Sequence, residues 1–366
     1  MKDKTLLMIP GPTPVPETVL LDMAKSPVPH RSPEFSAIFD EVNENLKYVF
    51  QTKNDVFIFA ASGTGAMDAA LCNIINAGDK VLSLVIGNFG ERWGKIAESH
   101  GAIVERITVP YGEVIDPEIL RERLAKDINK EIKIVTLTQS ETSTGAVNDV
   151  KTLCQIIKEH GALSVVDGVT SVGAMDIKPD EWGIDVLVSG SQKGFMIPPG
   201  LSFLVASEKA FEAHKQCKYP GFYFNWSAYK KNLAQHTTPY TPAVNLVVAL
   251  HTALKMIRAE GLENVLKRHK ENALLLRNSL REIGFSLFIE DDNIASYAVT
   301  SIYPPEGISV PEIRKALKED YNIIVANGQN DLKDKIFRIG TLGFISERDI
   351  LTVLASLMEI MKKLQK

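Results

Sequence analysis

At 366 residues, 45% hydrophobic and 23% charged, the chain has the composition of a folded globular protein and the length of one large domain plus a smaller one. Lys and Arg total 41 against 45 Asp and Glu, a formal charge of -4, so neither a nucleic acid nor an anionic membrane is expected as a partner. Cys72, Cys154 and Cys217 form no CxxC pair and no even framework; they argue against a disulfide scaffold and a metal site, and point to a reducing compartment, by default the cytoplasm.

The opening MKDKTLLMIPGPTPVP is broken by prolines before it reaches the length of a signal-peptide core. No later stretch approaches the roughly 18 consecutive apolar residues of a membrane span. From Asp55 to Ser207 seven short β-type runs follow one another: VFIFAAS, VLSLVIG, IVERITV, IKIVTLT, LSVVDGV, DVLVSGS and LSFLVAS. Amphipathic segments lie between them at 64–76, 91–100 and 150–160, long enough for crossover helices. This alternation predicts an α/β domain with a mostly parallel sheet. It ends after Ser207 in an aromatic-rich segment, KYPGFYFNWSAYKKN, followed by a long helical stretch from about Pro242 into the 260s. YAVTSIYP, NIIVANG and FRIGTLG are strand candidates, and SERDILTVLASLMEIMKKL is a terminal helix with an acid-rich start and a lysine-rich end. The expected division is a large domain over 1–260, including the N-terminal arm, and a small α+β domain over 261–366.

Three segments carry chemistry. SGTGAMDAAL (62–71) puts small residues after a strand and at the start of a helix, where free backbone N–H groups and the helix dipole favour a phosphate. It has neither the third glycine of a dinucleotide fingerprint nor a Walker lysine. A plain turn has the same composition. LSVVDGVTSVGA (163–174) puts Asp167 at the carboxyl end of a buried strand, where α/β sheets bind ligands and where an aspartate would also cap a turn. SGSQKGFMIPPG (189–200) sets Lys193 among small and apolar residues, unusual company for a surface lysine. A desolvated lysine has a lowered pKa and serves as an amine nucleophile. One strand apart in sequence, Asp167 and Lys193 should face one ligand from neighbouring strand ends.

Together with IPGPTPVP (9–16), KYVFQTKN (47–54), ETSTG (141–145) and FRIGTLG (337–343), these motifs resemble the class V aminotransferases of the fold-type I pyridoxal-phosphate superfamily, and within them the alanine–glyoxylate and serine–pyruvate group. The resemblance implies Lys193 as the Schiff-base lysine, Asp167 as partner of the pyridine nitrogen, and Ser62, Gly63, Thr64 and Gln192 as phosphate contacts. Phe89 falls where the alanine–glyoxylate enzymes stack a tryptophan on the ring, Val169 on the opposite face, and Thr142 where they have a serine near the cofactor. Arg338 matches the arginine that takes the substrate α-carboxylate, and Gly11 a glycine that leaves room beside the substrate. The implied reaction moves an amino group from a small amino acid, alanine or serine, to a small 2-oxo acid, glyoxylate or pyruvate. Family members are homodimers with sites at the interface, and Thr237 matches a residue that reaches the other subunit's phosphate; Ala234 replaces a tyrosine that animal members carry three residues before it. The alternatives are a cysteine desulfurase or other lyase of this fold, which needs a reactive loop cysteine and typically has histidine where Gln192 stands, and a non-catalytic nucleotide-binding module.

Overall fold

The computed structural model describes residues 4–364. Its strands are β1 (Leu6–Met8), β2 (Val56–Phe59), β3 (Lys80–Val85), β4 (Ile103–Thr108), β5 (Ile132–Thr138), β6 (Ser140–Glu141), β7 (Ala146–Val147), β8 (Leu163–Asp167), β9 (Val186–Gly190), β10 (Ser202–Ala206), β11 (Val299–Ile302), β12 (Ile323–Asn327) and β13 (Phe337–Gly340). A seven-stranded sheet in the order β2-β10-β9-β8-β5-β3-β4 uses every β-type run expected between Asp55 and Ser207. Only β10 runs against its neighbours, β2 and β9; the other pairings are parallel. β8 and β9 are buried along their whole length, as strands covered on both faces must be, and so read as continuous apolar runs. The edge strand β4 is nowhere fully buried and carries Glu105 and Arg106.

Helices cover both faces. The helix Val150–His160 begins where the Asp149 side chain accepts from Thr152 N at 3.1 Å and ends at Gly161, whose φ of 97° suits a residue without Cβ. Its stripe of Leu153, Cys154, Ile156 and Ile157 is buried against the sheet, and Leu153→Ala would cost about 2–5 kcal/mol. The helical stretch expected from Pro242 divides into Val244–Glu260 and Leu262–Glu282, separated by Gly261 at φ 84°.

The second sheet has the order β1-β12-β13-β11. Three of its strands follow Gly261, but β1 comes from the N-terminal arm and pairs parallel with β12. A three-residue strand has too few positions for a period to emerge, which is why nothing in the arm's sequence announces it. Its pairing anchors the start of the segment Ile9–Pro14, which crosses from the second sheet to the C-terminal edge of the first. No helix among the described residues is long and apolar enough to cross a membrane.

Candidate active site

Because β10 opposes both β2 and β9, strands β2, β9, β8, β5 and β3 all point the same way. Their carboxyl ends line one edge of the sheet, where the segments carrying Ser62, Lys193, Asp167, Thr142 and Phe89 begin. Ser62 caps the helix Gly63–Leu71, accepting from Gly65 N at 3.3 Å. The N–H groups of Gly63 and Thr64 have no hydrogen-bond partner among the described residues. A Cβ on Gly63 would sit 3.0 Å from Val169, and one on Gly190 would lie 3.1 Å from Gln192 Oε1 and 3.5 Å from Gly63 N. The turn Ser62–Thr64, Val169 and the Gln192 amide therefore converge, and Gln192 Oε1 is buried without a partner among the described residues.

Asp167 is 4% exposed, and its Oδ1 accepts from Val169 N at 2.8 Å. Burial pushes its carboxyl up to about 6, against the pull of that N–H; the negative charge of Glu141 adds to the rise and Lys193 opposes it. Lys193 is 8% exposed, and burial brings its amine down to about 8, with Asp167 holding it up and the cations Arg338 and Arg92 pressing it further down. Nζ donates to the Pro10 carbonyl and, among the described residues, to no carboxylate. Gly11 follows at φ 125°, and a Cβ there would stand 2.6 Å from Nζ and 2.7 Å from Cε.

Arg338, on β13, is 4% exposed and ties the second sheet to the turn between β6 and β7: Nε and Nη2 donate to the Asn327 carbonyl at 2.9 and 2.7 Å, and Nη1 to the Thr142 carbonyl at 2.7 Å. A guanidinium has five N–H donors, so one on each terminal nitrogen remains. Burial lowers this group to about 10, so an incoming carboxylate would relieve a desolvated cation. Thr142 Oγ1 lies 2.6 Å from Thr170 Oγ1. Thr237 is not gathered with the others: its Oγ1 accepts from Arg31 Nη1 at 2.8 Å.

Two residues went unrecognised in the sequence. Glu141 is fully buried and accepts from Phe89 N at 2.9 Å, Gly90 N at 3.2 Å and Ser143 Oγ at 2.6 Å, so it fixes the start of the helix Asn88–Ser99 and with it Phe89. Its signal was the single acid in ETSTG after a buried strand. Arg92 lies with its guanidinium 4.5 Å from the Phe89 ring centroid.

The fit to pyridoxal phosphate rests on this set: a lowered amine with space beside it, an opposing carboxylate, free N–H groups at a helix start with the Gln192 side chain close by, and a cation with two spare donors. A model of the class-V aminotransferases matches residues 7–340. The chain belongs to this family. It is therefore a pyridoxal-phosphate-dependent transaminase. The chain is 47% identical over 365 residues to a soluble hydrogenase 42 kDa subunit of Anabaena cylindrica, covering 100% of this chain and 95% of the relative. It is 40% identical over 346 residues to a serine–glyoxylate aminotransferase of Hyphomicrobium methylovorum, covering 93% and 85%. The crystal structure of an alanine–glyoxylate aminotransferase from Nostoc sp. matches with a TM-score of 0.93 at 33% identity, covering 99% of this chain and 96% of that one. For the desulfurase alternative the thiols are poorly suited. All three cysteines are buried, Cys72 and Cys154 are pushed up to about 12, and Cys217, the loop candidate, is raised as well and points at the Ile75 carbonyl.

Proposed function

We propose that this aminotransferase moves the amino group of a small amino acid, alanine or serine, to glyoxylate or pyruvate, with Lys193 as the residue that engages the cofactor aldehyde and carries the substrate's proton. The observation that supports it most is the buried Lys193 amine, lowered to about 8 and facing Asp167 on the adjacent strand end. When bound, pyridoxal phosphate supplies the aldehyde that takes up the amino group and the ring that withdraws the electron pair left at the substrate Cα. Near neutral pH a lysine of this kind has an appreciable unprotonated fraction, which a nucleophile and a proton carrier both need. Gly11 leaves the Lys193 amine room to move once displaced, and its Nζ would take the proton from the substrate Cα and deliver it to the carbon that began as the cofactor's aldehyde. Asp167, kept from water, would hold a proton on the pyridine nitrogen by charge pairing. Ser62, Gly63, Thr64 and Gln192 would hold the phosphate, and Phe89 and Val169 would flank the ring, with Thr142 beside it.

Arg338 would hold the α-carboxylate through its two unused N–H donors. Amino acid and 2-oxo acid share that carboxylate, so one fork serves both half-reactions. The names of the two aminotransferase relatives support glyoxylate as the acceptor. The hydrogenase name borne by another relative concerns a different reaction, whereas the buried centre here is built from a lysine, an aspartate and an arginine.

The active form in this proposal is a cytoplasmic homodimer with sites at the interface, Thr237 reaching the partner's phosphate. Tyr219 and Phe222 are 90% and 83% exposed in the aromatic segment before Thr237, which suits an interface, and three unpaired cysteines suit a reducing compartment. The test is to incubate the cofactor-loaded enzyme with glyoxylate and each of alanine, serine and aspartate and to follow glycine and the matching 2-oxo acid by mass spectrometry. Equimolar glycine and pyruvate or hydroxypyruvate is expected; no glycine from any donor would overturn the proposal.

A further inference from the structure

Arg92 is the cation at this site that the reaction leaves without a task. It stands on the helix Asn88–Ser99, one turn beyond Phe89. Its guanidinium lies 4.5 Å from the Phe89 ring centroid, and its Nη1 donates to Thr64 Oγ1 at 2.8 Å. Among the described residues no carboxylate pairs with it; the neighbouring Glu91 is taken by Arg106 at 3.0 Å. Its charge nevertheless reaches the reaction centre, lowering both Asp167 and Lys193.

A threonine hydroxyl has one proton and two acceptor lone pairs. With Arg92 donating to it, the Thr64 oxygen serves as acceptor on that side and its proton is directed elsewhere. Thr64 is in the first turn of the helix Gly63–Leu71, beside the two unpartnered N–H groups. A phosphate dianion in that turn needs a cation as well as donors. Lys193 is committed to the aldehyde, and Arg338 stands with Thr142 and Asn327 on the substrate side. Among the described residues, Arg92 is the cation that contacts the turn.

We infer that Arg92 is a positioning residue for the cofactor: its guanidinium holds the Phe89 ring, orients the Thr64 hydroxyl into the phosphate turn and offsets the phosphate charge. This rests on the assignment of Ser62–Thr64 as the phosphate turn and of Phe89 as the stacking ring. A lysine at this position would keep the charge, but a compact ammonium cannot both lie flat on a ring and donate from a fork.

The experiment titrates apoenzyme of the parent, Arg92→Gln and Arg92→Lys with pyridoxal phosphate and, separately, with inorganic phosphate, and follows the visible absorbance of the bound cofactor against pH. Far-UV circular dichroism and thermal melting report folding. Loss of a charge-assisted contact should weaken both ligands by about tenfold or more in Arg92→Gln. The pH midpoint of the absorbance change should rise in that variant, since a cation that favours the unprotonated lysine is gone. Arg92→Lys should recover inorganic phosphate binding and the midpoint but only part of the cofactor affinity, because ring and hydroxyl are no longer held together. If Arg92→Gln fails to fold, Arg92→Lys carries the test through its split between the two ligands. Folded variants that bind both ligands within about twofold of the parent, with an unchanged midpoint, would overturn the inference. A parent that binds inorganic phosphate but shows no visible band dependent on Lys193 would instead contradict the proposed role of Lys193.

Discussion

Replacing Gly11 by alanine tests the space around Lys193 more sharply than removing the lysine itself. The new Cβ would lie 2.6, 2.7 and 2.8 Å from Nζ, Cε and Cδ, so the whole outer half of the lysine must move. At φ 125° the backbone is also in a region that residues with a Cβ rarely adopt, a strain of about 1–3 kcal/mol. Lysine is flexible, so the cheapest relief is to swing the amine away from the Pro10 carbonyl and off its line to the cofactor. A displacement of about 1 Å in a reacting group costs about a hundredfold in rate. Gly11→Ala should therefore lose about two orders of magnitude in kcat for alanine–glyoxylate exchange, while melting only a few degrees lower and retaining inorganic phosphate binding. The assay is steady-state transamination at saturating cofactor, with calorimetry and phosphate titration alongside. A variant within about threefold of the parent kcat would show that Lys193 does not use the space Gly11 leaves, and the reasoning would fail.

Arg338→Ala should lower kcat/KM for alanine and for glyoxylate together by about a hundredfold or more, since two charge-assisted bonds of about 1.5–3 kcal/mol each are lost, and Arg338→Lys should lose less; unequal losses for the two substrates, measured by initial rates, would count against a shared carboxylate fork. The lowered Lys193 amine sets a pH dependence: only the neutral amine attacks the aldehyde, so covalent uptake of cofactor by apoenzyme, trapped with borohydride, should rise through about pH 8, and a rise confined to the ordinary lysine range would refute the effect of burial. Activity should fall on dilution together with the homodimer, as followed by light scattering; a fully active monomer would contradict the role proposed for Thr237.

The parts of the site that could be read from sequence were those set by a few adjacent residues. Asp167 and Lys193 each follow a buried apolar run directly, so strand-end placement and the parallel pairing of β8 with β9 bring them to one edge. The arm was harder to place. Gly11 faces Lys193 because β1 pairs with β12 more than 300 residues away and Thr13 donates from its N–H to the Gln192 carbonyl and from its hydroxyl to the Lys193 carbonyl, long-range contacts with no local signature. The same holds for Arg338, whose bond to the Thr142 carbonyl ties its strand to a turn almost 200 residues earlier, and for Glu141, whose importance lies in the N–H groups of a helix that starts more than 50 residues earlier. Residue type alone gave Arg92 no distinction from other helix arginines. Its meaning comes from the ring and the hydroxyl it meets.

The central claim is that one side chain, Lys193, both engages the cofactor and carries the proton from the substrate Cα. It is tested most directly by single-turnover reaction of α-deuterated and ordinary alanine with the cofactor-loaded parent and with Lys193→Ala, following pyruvate release. The parent should convert alanine with a primary isotope effect, and Lys193→Ala, still holding cofactor through its phosphate contacts, should release no pyruvate unless a small amine is added. Pyruvate release by Lys193→Ala at a rate near that of the parent, without added amine, would contradict the account.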